Sequence, residues 1–281
     1  MLLKKNAEIE NDMLFVLLFS CSSEPSYNYC PDPLGMEMIL VGSGRFTMGA
    51  RAGEVDTYPI HTVEITRDIC LMSTEVTQKM WSSSQSETSI SPQNLDLPIH
   101  SVTWFESIQF ANQLSLKAGL SPCYQIPPEL IKEPIDISTV NKEITWNKEC
   151  DGYRLPTESE WEYAARSGEK WNYSGGYNFD KYAIYKENSE GKPHPVKSML
   201  PNHWGLYDMS GNVSEWVWDG YGLYSEGIHT DPTGSKNPKV RVTRGGAFSS
   251  SSELIRVDVR SADSPEWRFD WVGFRLARNL K

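Results

Sequence analysis

A chain of 281 residues with a hydrophobic fraction of 39% carries enough apolar material for a sizeable core in one large or two small domains, which excludes a disordered or fibrous protein. The formal charge of −10, with Lys and Arg dispersed rather than massed on one stripe, argues against a nucleic-acid partner and is otherwise the solubility charge of an exported protein. Seventeen prolines, twenty glycines and ten tryptophans point to a loop-rich architecture in which rings fill the space between irregular segments.

At the N-terminus, Lys4 and Lys5 precede an apolar run from Met13 to Phe19. The run is far shorter than the roughly 20 residues that span a bilayer as a helix. Leu18-Phe19-Ser20-Cys21 resembles a bacterial lipobox, which implies a signal peptide over residues 1–20, lipidation of Cys21 and export to the cell envelope and its surface, with lipid as the only membrane contact. A buried apolar strand of the mature domain is the rival reading of the same run. Residues 21–35, rich in Ser, Pro and Asn, read as a tether, and the folded domain is expected over 36–281. Four cysteines remain, Cys30, Cys70, Cys123 and Cys150, enough for two disulfides. Cys123 and Cys150 flank one polar insertion and are the first choice for a pair, although four cysteines allow three connectivities.

Further along, Met38-Ile39-Leu40-Val41 reads as a strand, Phe46-Thr47-Met48 as a second, and the alternation of His61 to Ile65 as a third, half-buried one. Two helices carry start signals: Thr103 with Glu106, and Thr157 with Glu160, each a capping box followed by apolar residues at helical spacing. Glu158 and Glu162 on the second helix read as a solvated face. The five histidines, His61, His100, His194, His203 and His229, show no nucleophile or metal spacing. Beyond Arg166 the pattern is Gly, Asn, Pro and aromatic punctuation with short strands, so the fold class is α+β, with two main helices, small antiparallel sheets and much loop.

The segments "MILVGSGRFTMGA", "HTVEITRDICLMSTEVTQKMW", "PIHSVTWFESIQFANQLS", "GYRLPTESEWEYAAR", "GLYDMSGNVSEWVWD", "RGGAF" and "VGFRLAR" follow one another in the order seen in the formylglycine-generating-enzyme, or sulfatase-modifying-factor, family, and resemble it from about Met36 to Arg278. The resemblance implies a variant of the C-type lectin fold. It also implies structural calcium at the Gly-Asn-x-x-Glu loop, with Asn212 and Glu215 as ligands; the alternative is that Glu215 pairs with a buried arginine. The family's oxidase needs two cysteines shortly after its Gly-Gly motif to bind copper and substrate thiol. Here Gly245-Gly246 is followed by Ala247, Phe248 and four serines, and no cysteine occurs after Cys150, so neither copper nor the formylglycine reaction is expected.

Between the fixed elements of residues 244–278 the chain is unusual, with Trp267-Arg268-Phe269-Asp270-Trp271 placed where relatives carry small polar residues. Val257, Val259, Val272 and Phe274 already supply the inward positions, which leaves the rings facing outward. A fixed frame with freely chosen insertions resembles the variable region of the variable proteins that diversity-generating retroelements target. The ligand-facing candidates are then Ser249, Ser250, Ser252, Glu253, Asp258, Asp263, Trp267, Arg268, Phe269, Asp270 and Trp271, and the expected partner is an extracellular protein or glycan. Two alternatives are an enzyme of the same family that works without the cysteine pair and a fixed structural lipoprotein of the envelope.

Overall fold

The computed structural model describes residues 26–50, 55–84, 95–130, 144–236 and 239–280; the signal segment and Cys21 lie outside them. The central element is a five-stranded sheet in the order β1-β2-β5-β14-β8, formed by Tyr29–Cys30, Met38–Val41, Ile69–Met72, Ala277–Asn279 and Tyr153–Arg154. β2 and β5 are apolar at every position because both faces of this sheet are covered. Met38, Cys70 and Met72 meet Trp104, Phe105, Ile108 and Leu114 of helix α2 (Trp104–Lys117) on one side. Ile39, Val41, Ile69 and Leu71 meet Trp161, Ala164 and Ala165 of α3 (Glu158–Arg166) on the other. Both expected capping boxes are present, Thr103 with Glu106 and Thr157 with Glu160. Such a cap contributes about 1 kcal/mol. A third, five-residue helix, α1 (Gln78–Ser82), is capped by Thr77.

Around this layer lie three smaller sheets. β3 (Gly44–Met48) and β10 (Ile228–Thr230) flank β4 (His61–Ile65); β12 (Arg260–Asp263), β11 (Arg241–Arg244), β9 (Ser214–Gly220) and β13 (Val272–Phe274) form the second; β6 (Tyr124–Gln125) and β7 (Thr145–Trp146) pair in the third. Pairing is antiparallel except for β10 on β4 and β13 on β9, where the chain returns through long loops. The domain begins earlier than the sequence indicated. β1 pairs with β2, Cys30 is bonded to Cys70, and Tyr153 donates its hydroxyl hydrogen to Asp32 at 2.7 Å, so residues 27–35 belong to the fold and not to a tether. Cys123 is bonded to Cys150, as the insertion between them suggested. Among the described residues no helix is long and apolar enough to cross a membrane.

Candidate functional site

The loop between β12 and β13 presents Trp267, 58% exposed, and Trp271, 41% exposed, on either side of the half-buried Phe269. Their ring centroids are 5.9 and 5.0 Å apart in sequence order, so the three rings form one continuous apolar strip. The backbone beneath them is held at four points. Trp104 N–H donates to the Pro265 carbonyl at 3.0 Å, Ser101 N–H to Phe269 at 3.0 Å, Ser214 N–H to Trp271 at 2.9 Å, and Trp267 N–H to Ser264 at 3.1 Å. Ser101 makes its contact from a left-handed conformation, φ 58°, which costs a non-glycine residue energy and is maintained by the packing around it. Two indole hydrogen bonds fix the support: Trp104 Nε1 donates to the Val217 carbonyl at 2.9 Å, and Trp216 Nε1 to Val102 at 3.0 Å. Arg268 is paired with Glu106 of the α2 capping box, and Asp270 is exposed beside the strip. Phe269 packs against the core, which anchors the loop while the tryptophans stay in water.

The other sequence-predicted positions divide. Ser249 and Glu253 are exposed and Ser250 and Ser252 half-buried, on a segment seated against the 184–189 loop: Lys186 N–H donates to the Ser250 carbonyl at 3.0 Å and Ser189 Oγ to that of Phe248 at 2.8 Å. Gly246, φ 65°, permits this arrangement, since a Cβ there would lie 2.6 Å from the Leu254 carbonyl oxygen. Hydrogen bonds from Ser251 and Ser252 hold the Glu253 carboxyl below the usual range. Asp258 is a correction: it is buried and its carboxylate is committed to Arg256 at 2.6 and 3.1 Å. Asp263 is half-buried and accepts from Thr243 Oγ1 at 3.0 Å, with burial raising its pKa.

Of the two residues expected to ligate calcium, Glu215 is committed to an arginine. Both Glu215 oxygens face Arg275, with Nε and Nη2 each at 2.7 Å, and Trp161 Nε1 adds a third donor at 2.8 Å. The Asn212 side-chain carbonyl accepts from His194 N–H at 3.0 Å. Gly211 brings this loop against the chain at Ile184, where a Cβ would lie 2.0 Å from the carbonyl oxygen. Arg275 thus supplies the positive charge beside Glu215, the alternative raised by the sequence.

Arg275 serves three acids. Glu75 is fully buried beside the carboxyl of Asp208, which is also buried and accepts from Lys197 N–H at 3.0 Å. Burial, then the charges of Asp208 and Glu215, hold the Glu75 carboxyl well above its usual range, and burial raises Asp208. A carboxyl whose native pKa is raised stabilises the fold below its unfolded pKa and loses that contribution as pH rises through the native value. Each proton so retained tilts stability by up to about 1.4 kcal/mol per pH unit. Glu75→Gln is expected to match the parent near pH 4 and to be the more stable protein at pH 8 to 9. Urea midpoints across that range check it, and parallel curves for the two proteins would contradict it.

The reading of Glu158 and Glu162 as a solvated face is also corrected. Both are buried under β11 and β12: Glu158 is held by Arg260 at 2.8 and 2.6 Å, and Glu162 by Arg166 at 2.6 Å and by Arg244. Beside this network lies a cavity of about 400 Å³, open to solvent on one side, that includes His61, Asp219, Tyr224, His229 and Arg260 in its walls. Nothing in the sequence marked it, because its walls come from α3, β4, β9, β12 and the loop around β10.

Comparison with known proteins places this architecture. Residues 30–280 match the model of the sulfatase-modifying factor enzyme 1-like domain. The chain belongs to the formylglycine-generating-enzyme family. Treponema denticola variable protein 1 superposes with a TM-score of 0.76 at 29% identity, over 87% of this chain and 95% of that one. The chaperone protein LppX of Paenibacillus barcinonensis is 33% identical over 79% of this chain and 81% of its own length. The formylglycine-generating enzyme of Streptomyces coelicolor is 36% identical, over 46% of this chain and 47% of its own length. Where the resemblance puts the reactive cysteines of that family, this member carries serines. Its described cysteines are all joined in the pairs Cys30–Cys70 and Cys123–Cys150.

Proposed function

We propose that this member of the formylglycine-generating-enzyme family is a lipid-anchored binding protein and not an enzyme. It captures an extracellular protein or glycan through the face built on Trp267, Phe269 and Trp271, with Arg268 and Asp270 at its edge and the 249–253 segment as a second surface open to diversification. Cys21 carries the lipid and the cell surface is the place of action. The observation that carries the reading is the exposed aromatic strip on a backbone fixed at four points. Large rings offered to solvent on a rigid support are the anchors that dominate interface energetics, and a preformed loop avoids the ordering cost of binding. The likeness to a variable protein supports diversification of this face, and the serines after Gly246 support loss of thiol chemistry. The test arrays the purified chain against glycans and extracellular proteins. Capture by the parent and its loss in the Trp267→Ala, Trp271→Ala double variant is expected; equal capture by both proteins would remove the reading.

A further inference from the structure

The cavity beside α3 is a second candidate site, independent of the aromatic face. Its arginine and tyrosine donors are already spent. Arg260 directs Nε and Nη2 to Glu158 and Nη1 to the carbonyls of Gly222 and Asp56, and the Tyr224 hydroxyl donates to Glu158 at 3.1 Å. His61 Nδ1 lies 3.0 Å from the Pro59 carbonyl, which can only accept, so in the neutral ring Nε2 is an acceptor. His229 Nε2 is likewise 3.0 Å from the Ser225 carbonyl, which leaves Nδ1 to accept. The two imidazoles stand edge to face at 5.1 Å, brought together by the parallel pairing of β10 with β4.

Asp219 completes the set. It is buried, one oxygen accepts from Glu158 N–H at 2.8 Å at the start of α3, and no hydrogen bond is recorded to the other. Of the arginines near it, Arg260 is occupied as described, Arg154 is committed to Glu160 and Asn279, and Arg241 directs a nitrogen to the Trp218 carbonyl at 2.7 Å. We propose that this cavity binds a small organic cation bearing a primary ammonium group, held by Asp219 with ring nitrogens of His61 and His229 as acceptors. An ammonium brings three donors and a charge to walls that offer acceptors and an unpaired carboxylate, and the volume lies in the range of small-molecule sites. Burial, with Glu158 and Glu160 nearby, pushes the Asp219 carboxyl well up, so an ammonium competes with a proton for this group and binding strengthens as pH rises.

The test titrates the full chain with cadaverine and, separately, with 1,5-pentanediol, its neutral counterpart of equal length, following the backbone amides of Gly220, Gly222 and Gly234 by NMR and affinity by calorimetry. Cadaverine is expected to shift those amides and the diol to leave them in place. Asp219→Asn keeps an acceptor for Glu158 N–H while removing the charge, and is expected to weaken cadaverine at least tenfold. Ser235→Tyr, which fills the cavity from an exposed rim position, is expected to do the same and decides the matter if the Asn variant does not fold. Equal shifts with the diol, no shift at the three glycines, or cadaverine binding that survives Ser235→Tyr would overturn the proposal. Trp267→Ala should not change cadaverine affinity.

Discussion

Arg275→Met is expected to cost about 3–5 kcal/mol of stability. Arg275 is wholly buried, clamps Glu215 with two 2.7 Å bonds, and donates to the backbone carbonyls of Met72 and Tyr207 at 3.1 and 2.9 Å, joining β5, the 205–210 loop, β9 and the end of β13. Methionine fills much of the volume but leaves Glu215, Glu75 and Asp208 without a cation. For a domain of this size the melting temperature should drop by roughly 6–20 °C. Adding Glu215→Met should restore part of the loss, because a buried ion pair is costly mainly when only one partner remains. Calorimetry of the two single variants and the double variant measures this coupling. A loss below about 1 kcal/mol in Arg275→Met, or no recovery in the double variant, would show that the pair does not hold these elements together.

The opposite pattern is expected at the aromatic strip. Trp267→Ala and Trp271→Ala should each weaken ligand capture by about 30-fold or more, the effect of removing an interface anchor worth roughly 2 kcal/mol. Their melting temperatures should stay within a degree or two of the parent, since exposed rings contribute little to the core. Phe269→Ala is the internal control: it packs against the α2 core cluster, and its loss should lower stability as well as binding. Thermal melts beside binding isotherms for all three variants separate the two roles. A fall in stability at Trp267 and Trp271 equal to that at Phe269 would place those rings in the core.

What the sequence disclosed and what it concealed follow from the range of the interactions. The starts of α2 and α3 were legible because a capping box is complete within four residues. Cys123 with Cys150 was only the first choice, because the pair flanks one insertion while three connectivities stayed open. The exposure of Trp267 and Trp271 was legible because Val257, Val259, Val272 and Phe274 already occupied the inward positions, and all four are buried. Cys30 was misplaced in a tether because β1 is only two residues long and takes its meaning from β2 and Cys70. Glu158 and Glu162 resembled a solvated face because the arginines that bury them, Arg260 and Arg244, lie 102 and 82 residues away. Asp258 was misread for a different reason: its partner Arg256 is only two residues away, but the fold buries both the pair's carboxylate and the turn that carries it. The cavity at Asp219 was invisible for the same cause as Glu158 and Glu162, since His61 and His229 meet only through the return of β10 to β4.

The central claim, a diversified binding face on a fixed scaffold, is tested most directly by sequencing this gene and its flanking DNA in several isolates. The expected result is a near-copy of the codons for residues 244–278 beside a reverse transcriptase gene. It should differ from the coding copy at adenine positions, with isolates varying at Trp267 to Trp271 and around Ser249 to Glu253 while Arg244, Arg275 and the buried valines stay constant. An unchanging 244–278 segment in every isolate, with no second copy nearby, would contradict diversification and leave a binding face of fixed specificity.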